Sequence, residues 1–218
     1  MGTQTNLSPL DRLLVGVDRV LRTLYGAPRG SGRTNPAGGP RAGSHGKISS
    51  AARREAGRLM RVNHSGEVAA QALYHGQSTG ARDPAIADHL RKAAEEENDH
   101  LIWCRSRLTA LGTTPSRLNP FWYAGSFAIG ALAGRCGDRM SLGFLEETER
   151  QVVDHLDGQL ERLPQEDEAS RRVLQQMRVD EAHHGQAAKA RGGKRPPAPV
   201  RLAMKATSRV MTTTAYWF

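Results

Sequence analysis

The sequence predicts an all-α fold in which four long helices form a bundle around ionisable side chains. Three observations carry this prediction. Four segments place apolar residues at alternating steps of three and four, which is the spacing of one helix face. Each of these faces also holds a glutamate, and two hold a histidine three residues later, in Glu97–His100 and Glu181–His184. Glycine or proline lies in every connection between the segments and ends the preceding helix.

The chain divides into four parts. Residues 1–26 predict an amphipathic helix that starts at Ser8-Pro9, and show no signal-peptide pattern. Residues 27–48 are rich in glycine, proline, serine and arginine, which predicts a flexible linker. Residues 49–191 contain the bundle, and residues 192–218 form a basic amphipathic segment. This last segment is expected either to lie on a membrane or to cap the bundle.

The bundle helices are predicted from their start and stop signals at residues 50–79, 84–111, 138–163 and 166–190. Asp83 is the expected N-cap of the second helix, with Pro84 in its first turn. The connection between the second and third helices is long, and the other two are short. One long crossover in a four-helix bundle is ferritin-like connectivity.

The glutamates stand where the helical spacing expects buried apolar side chains. A buried charge is costly unless it is paired or bound to metal, and two divalent ions would neutralise four carboxylates. The spacing therefore predicts a dinuclear site, and its oxygen and nitrogen donors favour iron or manganese over zinc or copper. The predicted ligands are Glu67, Glu97, His100, Glu149, Glu181 and His184. Glu146 and Glu147 compete with Glu149, but only Glu149 keeps the spacing of its helix face.

Charge and composition indicate an anionic partner, either a phospholipid surface or a nucleic acid. The net charge is +9 and the pI about 10.2. Residues 118–134 carry no charge, begin with an aromatic cluster and are flanked by arginines, which is typical of a segment lying in a lipid interface. The alternative is a buried crossover helix. The two cysteines give no disulfide framework and favour a reducing compartment.

Four motifs resemble the 3-demethoxyubiquinol hydroxylases, di-iron monooxygenases of ubiquinone biosynthesis. They are Arg61-Val62-Asn63-His64-Ser65-Gly66-Glu67, Glu97-Asn98-Asp99-His100, Glu149 with His155, and Asp180-Glu181-Ala182-His183-His184. The resemblance covers roughly residues 54–190. It implies a ferritin-like fold whose metal ligands fall on the six residues named above, together with two irons per chain and O2 as co-substrate.

The resemblance also implies a substrate and a location. The substrate would be a polyprenyl benzoquinol, the 3-demethoxyubiquinol, with NADH as a candidate reductant. The protein would bind peripherally to the anionic cytoplasmic face of a bacterial-type inner membrane. Other ubiquinone-biosynthesis proteins are candidate partners, a homo-oligomer is a candidate assembly, and nucleic acid is not an expected partner.

Individual residues receive roles on this basis. Glu97 and Glu181 are expected to bridge the metals, Glu67 and Glu149 to bind terminally, and each histidine to bind one metal. Asp99 and Asp180 are candidate acceptors for imidazole N–H groups. His155 is a further candidate residue, near the metals or on the route of the electrons, whereas His64 and His183 fall outside the helix faces.

Two other functions share these ligands. A di-iron tRNA hydroxylase would use the positive charge to bind phosphates, but it offers no reason for the uncharged crossover. A non-enzymatic, ferritin-like iron-handling bundle would assemble into a cage and would not need a segment facing lipid.

Overall fold

The computed structural model describes residues 8–26, 28–38 and 48–218. These ranges contain helices and no β-strand, so the all-α prediction is confirmed. The helices are α1 (Pro9–Leu24), α2 (Ser50–Gly80), α3 (Pro84–Leu111), α4 (Asn119–Arg135), α5 (Asp138–Arg162), α6 (Glu168–Ala190) and α7 (Ala198–Trp217). Residues 1–7, 27 and 39–47, the last two belonging to the predicted linker, lie outside the described residues.

Helices α2, α3, α5 and α6 are the four predicted bundle helices, and their ends differ from the predicted ends by no more than two residues. Asp83 caps α3 as expected, since its Oδ1 accepts a hydrogen bond from the Ala85 N–H at 2.8 Å. Helix α2 packs on α3, α5 packs on α6, and α3 also contacts α6. The core between them is apolar at its two ends, where Leu174 and Leu142 respectively are buried, and ionisable in the middle.

The uncharged crossover forms α4, which packs along α2 through glycines on both helices. A Cβ atom at Gly130 would overlap the carbonyl oxygen of Leu73, and one at Gly76 would overlap that of Phe127. The close approach leaves other apolar side chains of α4 outside the contact. Phe121 is 73% exposed and Leu132 62% exposed. The crossover is therefore a helix packed on the bundle that still presents apolar side chains to its surroundings.

Replacing Gly130 by alanine is expected to destabilise the protein by roughly 1–3 kcal/mol, because the two backbones must separate to admit the methyl group. Gly125→Ala is the matched control, since a Cβ there meets nothing within 4 Å and the helix gains propensity. Denaturant unfolding of both variants measures the effect. Equal stability of the two would show that α4 does not rest on this contact.

Residues 28–38 lie against the bundle, which differs from the flexible linker that the composition predicts. We call this segment the strap. Ser31 donates to the Asp99 carboxylate from its N–H (2.9 Å) and its hydroxyl (2.5 Å). Arg172 donates to the carbonyl oxygen of Pro36 at 3.0 Å, and Ala37 is buried in the core. These contacts with α3 and α6 hold the strap in place, and composition does not reveal them.

The terminal helices also combine contact with exposure. Helix α7 packs on α2 and α5, and Arg58 lies over the ring of Trp217 at 4.5 Å, so this segment lies against the bundle. Its Leu202 and Val210 are nevertheless exposed, as are Leu14 and Leu21 of α1. None of the described helices is both long and apolar enough to cross a bilayer.

Candidate metal centre

The six predicted ligands meet in the middle of the bundle. Helix α2 supplies Glu67, α3 supplies Glu97 and His100, α5 supplies Glu149, and α6 supplies Glu181 and His184. All six are buried, with exposed fractions of 7% or less. The three-residue spacing of each glutamate–histidine pair puts both side chains on the inner face of its helix.

His100 turns its Nδ1 atom toward the carboxylates. This atom lies 2.8 Å from Glu97 Oε2, 3.1 Å from Glu181 Oε1 and 3.6 Å from Glu67 Oε2. The other ring nitrogen, Nε2, lies 2.9 Å from Oδ2 of Asp180. An Nε2–H donated to Asp180 would leave the Nδ1 lone pair free for a metal among the glutamates.

His184 repeats this arrangement from the opposite helix. Its Nδ1 lies 3.0 Å from Glu97 Oε1 and 3.3 Å from Glu181 Oε2, and its Nε2 lies 2.8 Å from Glu96 Oε2. Glu97 and Glu181 therefore each present one oxygen to each histidine. Either carboxylate would therefore reach a cation held beside one or the other histidine.

Glu67 and Glu149 lie to either side of the central pair. Glu67 Oε2 is buried and has no hydrogen-bond partner among the described residues, while Glu149 Oε1 accepts a bond from the Tyr74 hydroxyl at 2.7 Å. Burial, with added repulsion from the nearby carboxylates, raises the pKa of both glutamates well above the usual range. The raised pKa favours the neutral form of both carboxyl groups.

The histidines compensate the remaining negative charge. Burial alone would lower the pKa of His184, but hydrogen bonds to Glu181 and Glu97 outweigh it and raise that pKa to about 12. The pKa of His100 is raised well above its usual value in the same way, chiefly by Glu97. Burial likewise opposes the ionised form of Glu97, yet the two imidazolium groups lower its pKa.

The donor set fits a metal centre. Ligand atoms of Glu67, Glu97, His100 and Glu181 all lie within 4.8 Å of one another, and Glu149 and His184 adjoin this group. Carboxylate and imidazole donors without thiolate suit iron or manganese. The unbonded oxygen of Glu67 is an acceptor that a cation would satisfy.

The structure also places the residues that competed for roles. Glu147 pairs with Arg150 at 2.7 Å and Glu146 lies 4.0 Å from Lys189, so Glu149 alone of the three faces the cluster. His183 is exposed. His64 is fully buried, and burial lowers its pKa to about 3, but its Nδ1 contacts Asn119 at 3.3 Å and not the cluster.

Of the two residues predicted to accept imidazole N–H bonds, Asp99 and Asp180, one contacts a histidine. Asp180 contacts His100, but Asp99 bonds Ser31 of the strap instead, and Glu96 takes its place beside His184. Glu96 lies outside the apolar helix face, so the spacing gives no signal for it. Tyr74 does lie on the inner face of α2, the face that carries Glu67. A hydroxyl at that buried position could have indicated a hydrogen-bond partner for one of the glutamates, and the partner is Glu149.

A mostly apolar cavity of about 430 Å³ leads to one side of the cluster. It lies between α2, α4, α5 and α7, and its lining includes Glu67, Glu149 and Glu181. His155 also lines it, with its Nε2 bonded by the Gln159 amide at 2.7 Å. Burial lowers the pKa of His155, so its imidazole is neutral and carries its proton on Nδ1.

Residues 54–215 match the sequence model of a protein family described as ubiquinone biosynthesis protein COQ7. The chain belongs to the COQ7 family. That match includes all six residues of the buried cluster and the cavity beside it, whereas α1 and the strap precede it.

Curated COQ7-like relatives cover nearly the whole chain. The 3-demethoxyubiquinol 3-hydroxylase of Ralstonia pickettii is 56% identical over 215 residues, which are 95% of this chain and 99% of that protein. The enzyme of the same name from Bordetella parapertussis is 54% identical over 209 residues, 96% of this chain and 93% of the relative. That of Nitrosococcus oceani is 51% identical over 211 residues, 97% of each chain.

Proposed function

We propose that this chain is a 3-demethoxyubiquinol 3-hydroxylase, a monooxygenase that hydroxylates the ring of a polyprenyl quinol with O2. The observation that carries the proposal is the buried cluster of four glutamates and two histidines that opens onto an apolar cavity. The names of its COQ7 relatives supply the substrate class. NADH is our candidate for the source of electrons.

Six side chains would hold two irons. Glu97 and Glu181 would bridge them, because each contacts both histidines. Glu67 would bind on the His100 side and Glu149 on the other side. Two ferrous ions held there would supply two electrons to O2, one atom of which reaches the quinol ring and the other becomes water.

The chain's own residues position the substrate and keep water away. The cavity would place the quinol ring beside Glu67, Glu149 and Glu181, and its lining is mostly apolar. Asn63 donates to Gln159 Oε1 at 2.5 Å, and Gln159 in turn donates to His155. These two hydrogen bonds fix the orientation of the His155 ring, so that its Nδ1–H can donate to a quinol oxygen in the cavity.

The mouth of this cavity would face a membrane. Both α4 and α7 line the cavity, and both expose apolar side chains, including Phe121 and Leu202. Exposed Arg135 and Lys205 on the same helices can meet anionic headgroups. A long prenyl tail then stays in lipid while the ring enters, since each buried CH2 is worth roughly 0.8 kcal/mol. The protein would act peripherally on the cytoplasmic face of the inner membrane.

Gly66→Leu tests the substrate site without removing a ligand. A Cβ at Gly66 meets nothing within 4 Å, and the residue lines the cavity beside Glu67, so leucine should fill the space where the ring is proposed to lie. We expect hydroxylation of demethoxyubiquinol to fall about tenfold or more, because small misplacements of substrate are costly. Iron content and melting temperature should not fall, since leucine favours helix over glycine.

Gly158→Leu is the matched control. Gly158 is exposed on α5, is not part of the cavity lining, and also has open space for a side chain. This variant should hydroxylate at the wild-type rate. If both variants turn over normally, the cavity is not the substrate site.

The same assay separates the two alternative functions. A ferritin-like iron-handling bundle would bind iron but would not convert demethoxyubiquinol, and a tRNA hydroxylase would modify RNA only. The COQ7 match and the cavity, which is apolar where RNA would require polar contacts, favour the quinol.

A further inference from the structure

The strap reaches the outer side of the metal centre through one arginine. Arg33 Nη2 donates to Asp180 Oδ2 at 2.6 Å, and the same oxygen lies 2.9 Å from His100 Nε2. The second oxygen, Oδ1, accepts from Gln176 Nε2 at 2.9 Å. Both oxygens of Asp180 are thus occupied, and the carboxylate can shift only if one of these bonds breaks.

Arg33 also contacts Trp103, the aromatic neighbour of the His100 imidazole. Its guanidinium lies over the Trp103 ring, 5.0 Å from the centroid, and this ring lies 5.4 Å from that of His100. Trp103 is 2% exposed and the Arg33 side chain 33% exposed, so the arginine lies on the solvent side of this ring. One side chain, Arg33, therefore contacts both Asp180 and Trp103, two neighbours of His100 that are not proposed metal ligands.

The other histidine has no such support. The Nε2 of His184 meets Glu96, whose side chain is 51% exposed, and no arginine bonds Glu96 among the described residues. The side chain of Asp180 is only 13% exposed. The two halves of the centre have matching proposed ligands. They differ in the carboxylate that accepts from Nε2 of the histidine: Asp180 is held by further hydrogen bonds, and Glu96 is largely exposed.

We propose that Arg33 is a positioning residue for His100, fixing the Asp180 carboxylate so that Nδ1 of the imidazole stays directed at one of the two metal positions. This inference rests on the proposed metal centre. It assigns a role to a residue that precedes the part of the chain matched by the COQ7 model, residues 54–215.

Release of ferrous iron from the full-length holoprotein to a chelator, under anaerobic conditions, tests the inference. Arg33→Gln should release one of the two irons about fivefold faster and leave the other unchanged. This is less than the roughly 10–100-fold expected for loss of a direct partner of a ligand. Arg33→Lys should restore the rate in part, because the contact uses a single nitrogen. Absorption bands of the Co²⁺-loaded protein should shift in Arg33→Gln.

Two further variants separate positioning from a general loss of structure. Arg172→Ala removes the bonds to the carbonyls of Pro36 and Ala37 and does not touch Asp180. Because Ser31, two residues from Arg33, still bonds Asp99, Arg33 should keep its contact and this variant should release iron as the wild type does. In an Asp180→Ala background, which removes the acceptor, Arg33→Gln should have no further effect, because the two changes act through one contact.

The outcomes are distinct. Equal release by Arg33→Gln and the wild type, equal acceleration by Arg172→Ala, or additivity with Asp180→Ala would each overturn the role of Arg33. A wild-type protein that holds no iron would overturn the proposed metal centre itself.

Discussion

The double variant Glu97→Ala/Glu181→Ala is expected to lose nearly all bound iron and to hydroxylate at less than about one-thousandth of the wild-type rate. Each of these carboxylates presents oxygens to both histidines, so their loss removes the proposed bridges between the metals. Iron is measured on the purified protein, and activity as conversion of demethoxyubiquinol.

The matched control is Glu95→Ala/Glu168→Ala, which removes two exposed carboxylates from the same two helices. It should keep its iron and its activity. Far-UV circular dichroism checks that both proteins retain their helices. Full iron and activity in the first variant would show that the buried glutamates are not ligands.

Phe127→Asp/Leu132→Asp is expected to release the protein from vesicles of anionic phospholipid and to slow turnover of a long-tailed substrate about tenfold or more. Both side chains are exposed on α4, at 37% and 62%, and neither lines the cavity. A short-tailed, water-soluble analogue should be hydroxylated normally. Trp122, on the same helix, is unsuitable for this test because it lines the cavity.

Val179→Asp is the control for exposure alone. Val179 is 45% exposed on α6, a helix that contributes only Glu181 to the cavity lining. It should leave vesicle binding unchanged. Raising the salt concentration should weaken binding of the wild type only in part, since apolar contact supplies the rest. Equal loss of turnover on both substrates would mean that α4 serves the fold rather than the membrane.

The helices and the cluster could be predicted from local spacing because both depend on which side of a helix is buried. The choice of Glu149 over Glu146 and Glu147 followed from that spacing. Of these three glutamates, Glu149 is the one that the structure places in the buried cluster. Helix ends followed from caps such as Asp83 and from glycine and proline.

The contacts around the cluster depend on how distant segments meet, which local spacing does not encode. Asp99 and Glu96 are neighbours of Glu97, and only the register of α3 against α6 and the strap decides which of them reaches a histidine. Arg33 lies in a segment whose composition predicts flexibility, yet it bonds a residue 147 positions away. The packing of α4 likewise depends on glycines from two helices that meet in space.

Anomalous diffraction at the iron edge, from crystals of the iron-loaded protein, tests the central claim most directly. We expect two peaks inside the bundle, one beside Nδ1 of His100 and one beside Nδ1 of His184, with Glu97 and Glu181 reaching both. A single peak, or iron bound only at the surface, would contradict a dinuclear centre in this chain.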